Sequence, residues 1–317
     1  MDQPLFLNKY QPLYFKDFEA DTVLFDMLNT LINMDNLNIL FIGDVGAGKT
    51  TFLNAVIKEY YNHISAQDNI LYINSLKEQG INYYRNEVKT FCQTCSAVKN
   101  KKKIVVLDDI DIINEQSQQV FRNCIDKYSH NVHFIASCSN PQKVIESLQS
   151  RFIIIKIKPL LKAQLGKIMQ KIIDNEHIIV TEDAKQFILN VCNNNAKILI
   201  NYMEKFKLLN EPVNIQNASN ICTNISYLLF EEYTTCIKNG ELKQAIKILY
   251  DLYDKGYSVI DILDNYFLFI KITTCICETE KYDIIPLICK YITVFNNIHE
   301  DEIELALFSN NMSNLFL

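Results

Sequence analysis

Glycine and proline are scarce in this chain, at 7 and 6 of 317 residues. That excludes collagen-like and Pro/Gly-rich low-complexity classes. No apolar run approaches the roughly 18 residues that a membrane-spanning helix needs, so none is expected. The N-terminal Met1-Asp2-Gln3-Pro4 lacks both a basic segment and a long apolar segment. It therefore reads as the start of an intracellular protein that is not secreted. On that reading the 10 cysteines are reduced and mostly in the core. Cys92 and Cys95 form a C-x-x-C, but no second pair follows at zinc-ribbon spacing, and two thiols a turn apart on one helix account for it. A net charge of −6 excludes a nucleic-acid binder that uses its whole surface, while leaving room for a local basic track. The five histidines (His63, His130, His133, His177, His299) have no metal-ligand spacing and read as surface or loop residues. No nucleophile–base pair or carboxylate dyad has positional support.

With 49% hydrophobic and 21% charged residues, the chain can bury a substantial core. Its length suits two or three domains at roughly 150 residues each. Short apolar runs at 37–42, 70–74, 104–108, 132–137 and 152–157 read as strands. Helical patterns at 49–63, 81–99 and 115–128 lie between them. Strands alternating with helices predict an α/β fold, a parallel sheet with helices on both faces. After Pro159 the segments 162–174, 182–192 and 197–209 carry helical spacing, with Thr181 as an N-cap. Pro212 and the polar stretch to Asn220 read as a boundary. From Ile221 onward the pattern is helical, with breaks near Gly240, Gly256 and Pro286. The predicted domains are 1–159 (α/β), 160–220 (small helical lid) and 221–317 (all-α).

The chemistry sits where glycine is concentrated. Gly43, Gly46 and Gly48 belong to Gly43-Asp44-Val45-Gly46-Ala47-Gly48-Lys49-Thr50, a full G-x-x-x-x-G-K-[ST] between a strand and a helix. Such a P-loop wraps phosphates with backbone N–H groups, including those at Ala47 and Thr51. Lys49 reaches the β and γ phosphates, and Thr50 offers an oxygen to Mg²⁺. The predicted cofactors are therefore ATP and Mg. The strand Ile104-Val105-Val106-Leu107 ends in two acids. Asp108 is placed to complete the magnesium site and Asp109 to polarise the attacking water. Asp111, on the following turn, reads as a cap or a surface charge. Lys99, Lys101, Lys102 and Lys103 read as a solvated basic turn.

From end to end the chain resembles a small subunit of the replication factor C-type sliding-clamp loaders, which are AAA+ ATPases. Asn8-Lys9-Tyr10-Gln11-Pro12 is similar to the family's E-K-Y-R-P, which packs near the adenine and so implicates Tyr10 and Pro12. Asn74 and Gln79-Gly80-Ile81-Asn82-Tyr83-Tyr84-Arg85 resemble L-N-A-S-D-x-R-G-I-D-x-x-R. Gln118-Gln119-Val120-Phe121-Arg122 resembles Q-x-A-L-R, and Ser150-Arg151-Phe152 the S-R-C box. Lys197 and Asn201 align with the sensor-2 G-D-M-R-x-x-x-N, and Gly256-Tyr257-Ser258 also has a counterpart.

The resemblance implies a catalytic role for Arg151 in trans, as an arginine finger in a neighbouring subunit's nucleotide site. It also implies duplex-backbone contacts from Arg85 and Lys89, whose spacing of four puts them on one helical face. Several positions depart from the family. D-E-A-D becomes Asp108-Asp109-Ile110-Asp111, so the glutamate position holds a carboxylate one methylene shorter. The sensor-1 asparagine aligns with Ser139, and Asn140 comes one place late; the sequence leaves the choice open. Gln11 replaces arginine, and Lys197 keeps the sensor-2 charge without the bidentate fork.

The function implied is an ATP-dependent clamp-loader subunit. It would act with homologous AAA+ subunits to open a sliding clamp and load it on primer–template DNA, at the site of replication (a nucleus, or a cytoplasmic viral factory). No membrane is involved. Alternatives are another AAA+ protein such as an initiator or helicase loader, or a mainly structural subunit that binds ATP and hydrolyses it weakly. A P-loop small-molecule kinase fits less well, because residues 1–140 contain only Arg85 and Arg122 for an arginine-rich lid.

Overall fold

The computed structural model describes residues 5–19, 22–62, 66–74, 84–209, 211–223, 225–273, 275–295 and 299–316. Gln79–Tyr83 of the resemblance and His63 lie outside the described residues. The chain divides into two compact units, one of residues 1–177 and 194–207, the other of 178–193 and 208–317.

The first unit is built on a five-stranded, wholly parallel sheet in the order β2-β3-β4-β1-β5. The strands are β1 (Ile39–Ile42), β2 (Ile70–Asn74), β3 (Lys103–Asp108), β4 (Val132–Cys138) and β5 (Ile153–Lys156). Central strands buried on both faces must be apolar at every position rather than at alternate ones. β3 shows the consequence. Ile104 and Val106 enter one core with Ile39, Phe41 and Ile135, while Val105 and Leu107 enter the other with Leu40, Phe134 and Ala136.

The helices of this unit are α1 (Phe6–Lys9), α2 (Thr22–Asn33), α3 (Lys49–Tyr61), α4 (Lys89–Gln93), α5 (Glu115–Tyr128), α6 (Glu146–Gln149), α7 (Lys162–Glu176) and most of α9 (Ala196–Leu209). α3 lies on the first core through Phe52, Leu53, Val56 and Tyr60. α5 lies on the second through Phe121, Cys124 and Ile125. Asn114 caps α5 by accepting from Ser117 N at 2.9 Å.

The second unit is all-α: α8 (Glu182–Val191), α10 (Ile215–Cys222), α11 (Tyr227–Lys238), α12 (Leu242–Asp254), α13 (Val259–Ile272), α14 (Glu278–Val294) and α15 (Ile303–Phe316). Its core is aromatic, centred on Phe230, Tyr233, Tyr266, Phe269 and Phe308. Tyr233 and Tyr266 meet edge to face at 5.3 Å between centroids. Thr181 caps α8, accepting from Ala184 N at 3.4 Å. Gly240 and Gly256 have φ of +77° and +96°, which ends α11 and α12 as expected.

Several expectations fail locally. Pro286 lies inside α14 rather than breaking it, because Ile284, Ile288 and Tyr291 are buried around it and hold the helix together. The polar stretch after Pro212 contains α10, whose Ala218 and Cys222 are buried. The helix expected to run to Lys99 ends at Gln93, so Cys92 is buried on α4 and Cys95 is exposed beyond it.

His133 is not a surface residue but 1% exposed within β4. Its Nδ1 accepts from Leu37 N at 3.4 Å, and its Nε2 lies 3.0 Å from Asp35 Oδ1. Lys103, expected in a solvated turn, is 5% exposed at the start of β3. Its Nζ donates to the Phe91 carbonyl at 3.0 Å and to Thr94 Oγ1, which ties the start of β3 to the end of α4.

Candidate functional site

A parallel sheet places ligands at the carboxyl ends of its strands, where the loops to the following helices begin. β1 runs directly into the glycine loop, and the loop into α3. Gly46 and Gly48 have φ of +82° and +89°, which side chains rarely allow, and Gly48 is the N-cap of α3. The first turn of α3 thus presents its unpaired N–H groups and the positive end of its dipole to the loop.

Lys49 is 7% exposed. Its ammonium donates to the carbonyls of Gly43 and Asp44 at 3.0 and 3.2 Å and to Ser139 Oγ at 2.9 Å. A cleft of about 670 Å³ opens beside it, within the size range of small-molecule sites. Gly46, Ala47, Gly48, Thr50 and Thr51 line it from the loop. Tyr10, Pro12, Asp109, Asp111, Ser139 and Lys197 line it from other places in the sequence.

The acids after β3 lie at the next strand end but one. Thr50 Oγ1 lies 3.0 and 3.2 Å from the two carboxylate oxygens of Asp108. A hydroxyl and a carboxylate this close form an all-oxygen donor set suited to a hard cation such as Mg²⁺. Ser137, fully buried on β4, donates to Asp108 Oδ1 at 2.5 Å and accepts from Asp109 N at 3.0 Å. Asp109 itself is left-handed, with φ of +53°, a conformation aspartate tolerates better than most residues. Its carboxyl is pushed up by burial and by the neighbouring charges of Asp108 and Asp111, with Lys49 opposing.

Asp111 is not a surface charge. Its Oδ2 accepts from the backbone N–H groups of Ser139 and Asn140, at 3.2 and 3.0 Å. That clamp fixes the loop after β4 so that Ser139 reaches Lys49. The side chain of Asn140 turns elsewhere and accepts from Gln142 N at 3.0 Å. The buried Gln118 bridges the same region, donating to the carbonyls of Ile113 and Lys143 at 2.9 and 3.0 Å and accepting from Ile145 N at 2.9 Å.

At the other wall Tyr10 donates to Glu176 Oε1 at 2.5 Å, and Lys9 pairs with the same oxygen at 2.6 Å. Burial, reinforced by that carboxylate, pushes the Tyr10 hydroxyl up to about 12.

Sequence reasoning missed Ser137 and Asn195. Asn195 accepts from Lys197 N and Ile198 N at 3.0 and 3.3 Å, capping α9. Its Nδ2 donates to the Val45 carbonyl at 3.2 Å. One amide therefore ties the helix that carries Lys197 to the glycine loop. A Cβ at Gly46 would stand 2.2 Å from that amide nitrogen, so only glycine leaves room for it. An asparagine just ahead of a helix is the signal that was available for this residue. Ser137 gave none, since a serine inside an apolar strand shows no partner.

Arg151, Arg85 and Lys89 are not among the residues lining the cleft. Arg151 pairs with Asp126 on α5. Arg85 lies in a π-helical turn, Tyr84–Val88, that leads into α4 at Lys89, and both side chains are exposed.

Residues 39–160 match the model of the AAA family, the ATPase family associated with various cellular activities. The chain is 28% identical over 282 residues to replication factor C subunit 4 of Saccharomyces cerevisiae, covering 88% of this chain and 86% of that one. It is 27% identical over 290 residues to the replication factor C small subunit of Methanococcus vannielii, covering 91% of each. A RuvB variant from Thermotoga maritima aligns in structure with a TM-score of 0.57 at 13% identity, over 87% of this chain and 98% of that one, a likeness of fold. The α/β core is thus an AAA+ fold, as the resemblance implied, and the strand–helix order had predicted its parallel sheet. The chain resembles replication factor C small subunits over most of its length.

Proposed function

We propose that this chain is an ATP-dependent subunit of a sliding-clamp loader, working with homologous AAA+ subunits to open a clamp and place it on primer–template DNA. The observation that carries the reading is the convergence of Lys49, Thr50, Asp109 and Ser139 on one cleft, with Asp108 hydrogen-bonded to Thr50, in a chain that resembles replication factor C small subunits over most of its length. Bound ATP with Mg²⁺ supplies the phosphoanhydride whose hydrolysis drives the work.

The residues divide the task. The glycine loop and Lys49 bind phosphates, Tyr10 and Pro12 wall the base end, and Thr50 with Asp108 hold the cation. Asp109, which lines the cleft, polarises the attacking water. Ser139 rather than Asn140 serves as the polar sensor, because it is the one that contacts Lys49. Lys197 adds positive charge from α9. Arg151 serves a neighbouring subunit, and Arg85 and Lys89 follow the duplex backbone. Residues 1–159 form the nucleotide domain, 160–220 the lid and 221–317 the oligomerisation domain. The location is the site of DNA replication. Among the described residues no helix is long and apolar enough to cross a membrane.

The test is ATP turnover by the chain alone and by the complex that co-purifies with it, each with and without primer–template DNA and the sliding clamp. Turnover should require the complex, rise with DNA and clamp, and lose the DNA effect steeply with salt. A verified monomer that hydrolyses ATP as fast as the complex, indifferent to DNA, would overturn the reading.

A further inference from the structure

Arg151 is held by its own chain through part of its guanidinium, and its side chain stays 26% accessible. Its Nε donates to Asp126 Oδ1 at 2.5 Å and its Nη2 to Asp126 Oδ2 at 2.9 Å, a bidentate pair. Its Nη1 donates to the Ser147 carbonyl. A guanidinium has five N–H groups, and these bonds use three. These bonds leave one N–H on Nη2 and one on Nη1, and among the described residues only a long contact of 3.4 Å, from Nη1 to Ser150 Oγ, competes for them. A guanidinium with N–H groups to spare is suited to the oxygens of a phosphate.

Asp126 is itself fixed. It stands one turn beyond Arg122 on α5, and Arg122 Nε lies 3.9 Å from its Oδ2. The hydrogen bond from Arg151 holds the Asp126 carboxyl below its usual range, so it stays charged. The pair is substantially exposed, with side chains 26% and 46% accessible. Exposed ion pairs add little to stability, so folding gains little from it. What the geometry does accomplish is to freeze a long, rotamer-rich side chain before it meets an anion, removing an ordering cost that binding would otherwise carry.

We propose that Asp126 is a positioning residue that fixes the guanidinium of Arg151 so that its remaining Nη1 and Nη2 N–H groups meet a phosphate bound by another subunit. This rests on the proposed role of Arg151 in trans.

The test compares Arg151→Ala, Asp126→Asn, Asp126→Glu and the double variant Arg151→Ala/Asp126→Asn in the assembled complex. Steady-state ATP turnover is read alongside nucleotide binding at this chain's own P-loop. Asp126→Asn keeps the side chain's size but turns an amide N–H toward the guanidinium. A misaligned arginine should lower kcat by roughly ten- to hundred-fold with KM for ATP unchanged, since a displacement of about 1 Å can cost that much. Asp126→Glu should recover most of the loss, and the double variant should be no slower than Arg151→Ala alone. Binding at the chain's own P-loop should not change in any of them.

If Arg151→Ala abolishes turnover while Asp126→Asn stays within twofold of wild type, the positioning role is wrong and the trans arginine survives. A rise in turnover with Asp126→Asn also overturns it, because Asp126 would then restrain the arginine. If Arg151→Ala has no effect, the trans role itself fails. Because Asp126 is exposed, the variants should fold. A melting temperature matching wild type confirms that; if Asp126→Asn melts lower, turnover is scaled to the fraction of complex that binds nucleotide at this chain's own P-loop, and a loss that vanishes on scaling overturns the positioning role.

Discussion

The two ends of the parallel sheet each gather buried polar groups, and they do so in opposite ways. At the amino ends of the strands, opposite charges and donors are matched. Asp35 accepts from Tyr60 Oη at 2.8 Å, lies 3.0 Å from His133 Nε2 and pairs with Lys102 Nζ at 3.0 Å. Asn69, fully buried, donates to Ser96 Oγ at 2.9 Å and accepts from Ala97 N at 2.8 Å. At the carboxyl ends, like charges are crowded together. Asp108 ends one strand and Asp109 and Asp111 follow it, Asp109 sits in a left-handed conformation with a raised carboxyl, and Asp111 Oδ1 is buried with no hydrogen-bond partner among the described residues. A cluster that is complete in itself stabilises the fold. A cluster left with surplus negative charge beside an ammonium and a glycine loop is arranged for ligands. The contrast separates structure from function more surely than residue type does, since both ends use Asp, Lys and Ser or Tyr.

The largest effect should come from the carboxyl end. Lys49→Ala should weaken ATP binding by about a hundred-fold, because charge-assisted hydrogen bonds contribute roughly 1.5–3 kcal/mol. Its melting temperature should change little. Isothermal titration with ATP paired with calorimetric melting checks both halves. Unchanged affinity would remove the distinction between the two ends.

Asp35→Ala should do the reverse. Removing the acceptor for the Tyr60 hydroxyl and the His133 ring should cost about 1–2 kcal/mol of stability, because Asp35 is half exposed and Tyr60 Oη still accepts from Lys102 N. ATP affinity should stay as in wild type. Chemical denaturation reads the loss.

The same cluster sets an acid limit. Burial holds His133 down at about 4, against 6.5 for the free side chain, although the Asp35 carboxylate opposes the shift. The unfolded chain therefore takes up this proton first as pH falls. Stability from this group is full above 6.5 and declines as pH drops toward 4. Unfolding midpoints measured across that window should fall with pH, and His133→Gln should flatten the slope.

The smallest effect should be at Asn195. Losing an N-cap costs about 1 kcal/mol, so Asn195→Ala should weaken ATP binding roughly fivefold by freeing α9 from the glycine loop. If affinity and melting temperature both hold, the amide bond to Val45 contributes nothing.

The sheet was legible in the sequence because its strands are short apolar runs closed on both sides by helical periodicity, and burial on two faces leaves no other composition. α5 is legible to both end residues from its amphipathic spacing. The expected continuation of α4 to Lys99 fails because Asn69, distant in sequence, binds Ser96 Oγ and Ala97 N, a partner that no local pattern records. Pro286 was misread because propensity is local, whereas Ile284, Ile288 and Tyr291 are held from outside the helix.

At the site, the glycine loop and the Asp108-Asp109 pair were visible as contiguous strings, for the wrapping of a phosphate is a property of consecutive backbone groups. The sequence by itself determined those, along with the strand–helix order. Only the tertiary structure decided that Ser139 and not Asn140 faces Lys49, and that Asp111 clamps the loop carrying them. It also decided that Ser137 orients Asp108, that Asn195 binds the glycine loop, and that His133 and Lys103 are buried. Each of these is a hydrogen bond between residues distant in sequence. Its partner is chosen by which strands lie side by side, and no local pattern records that choice.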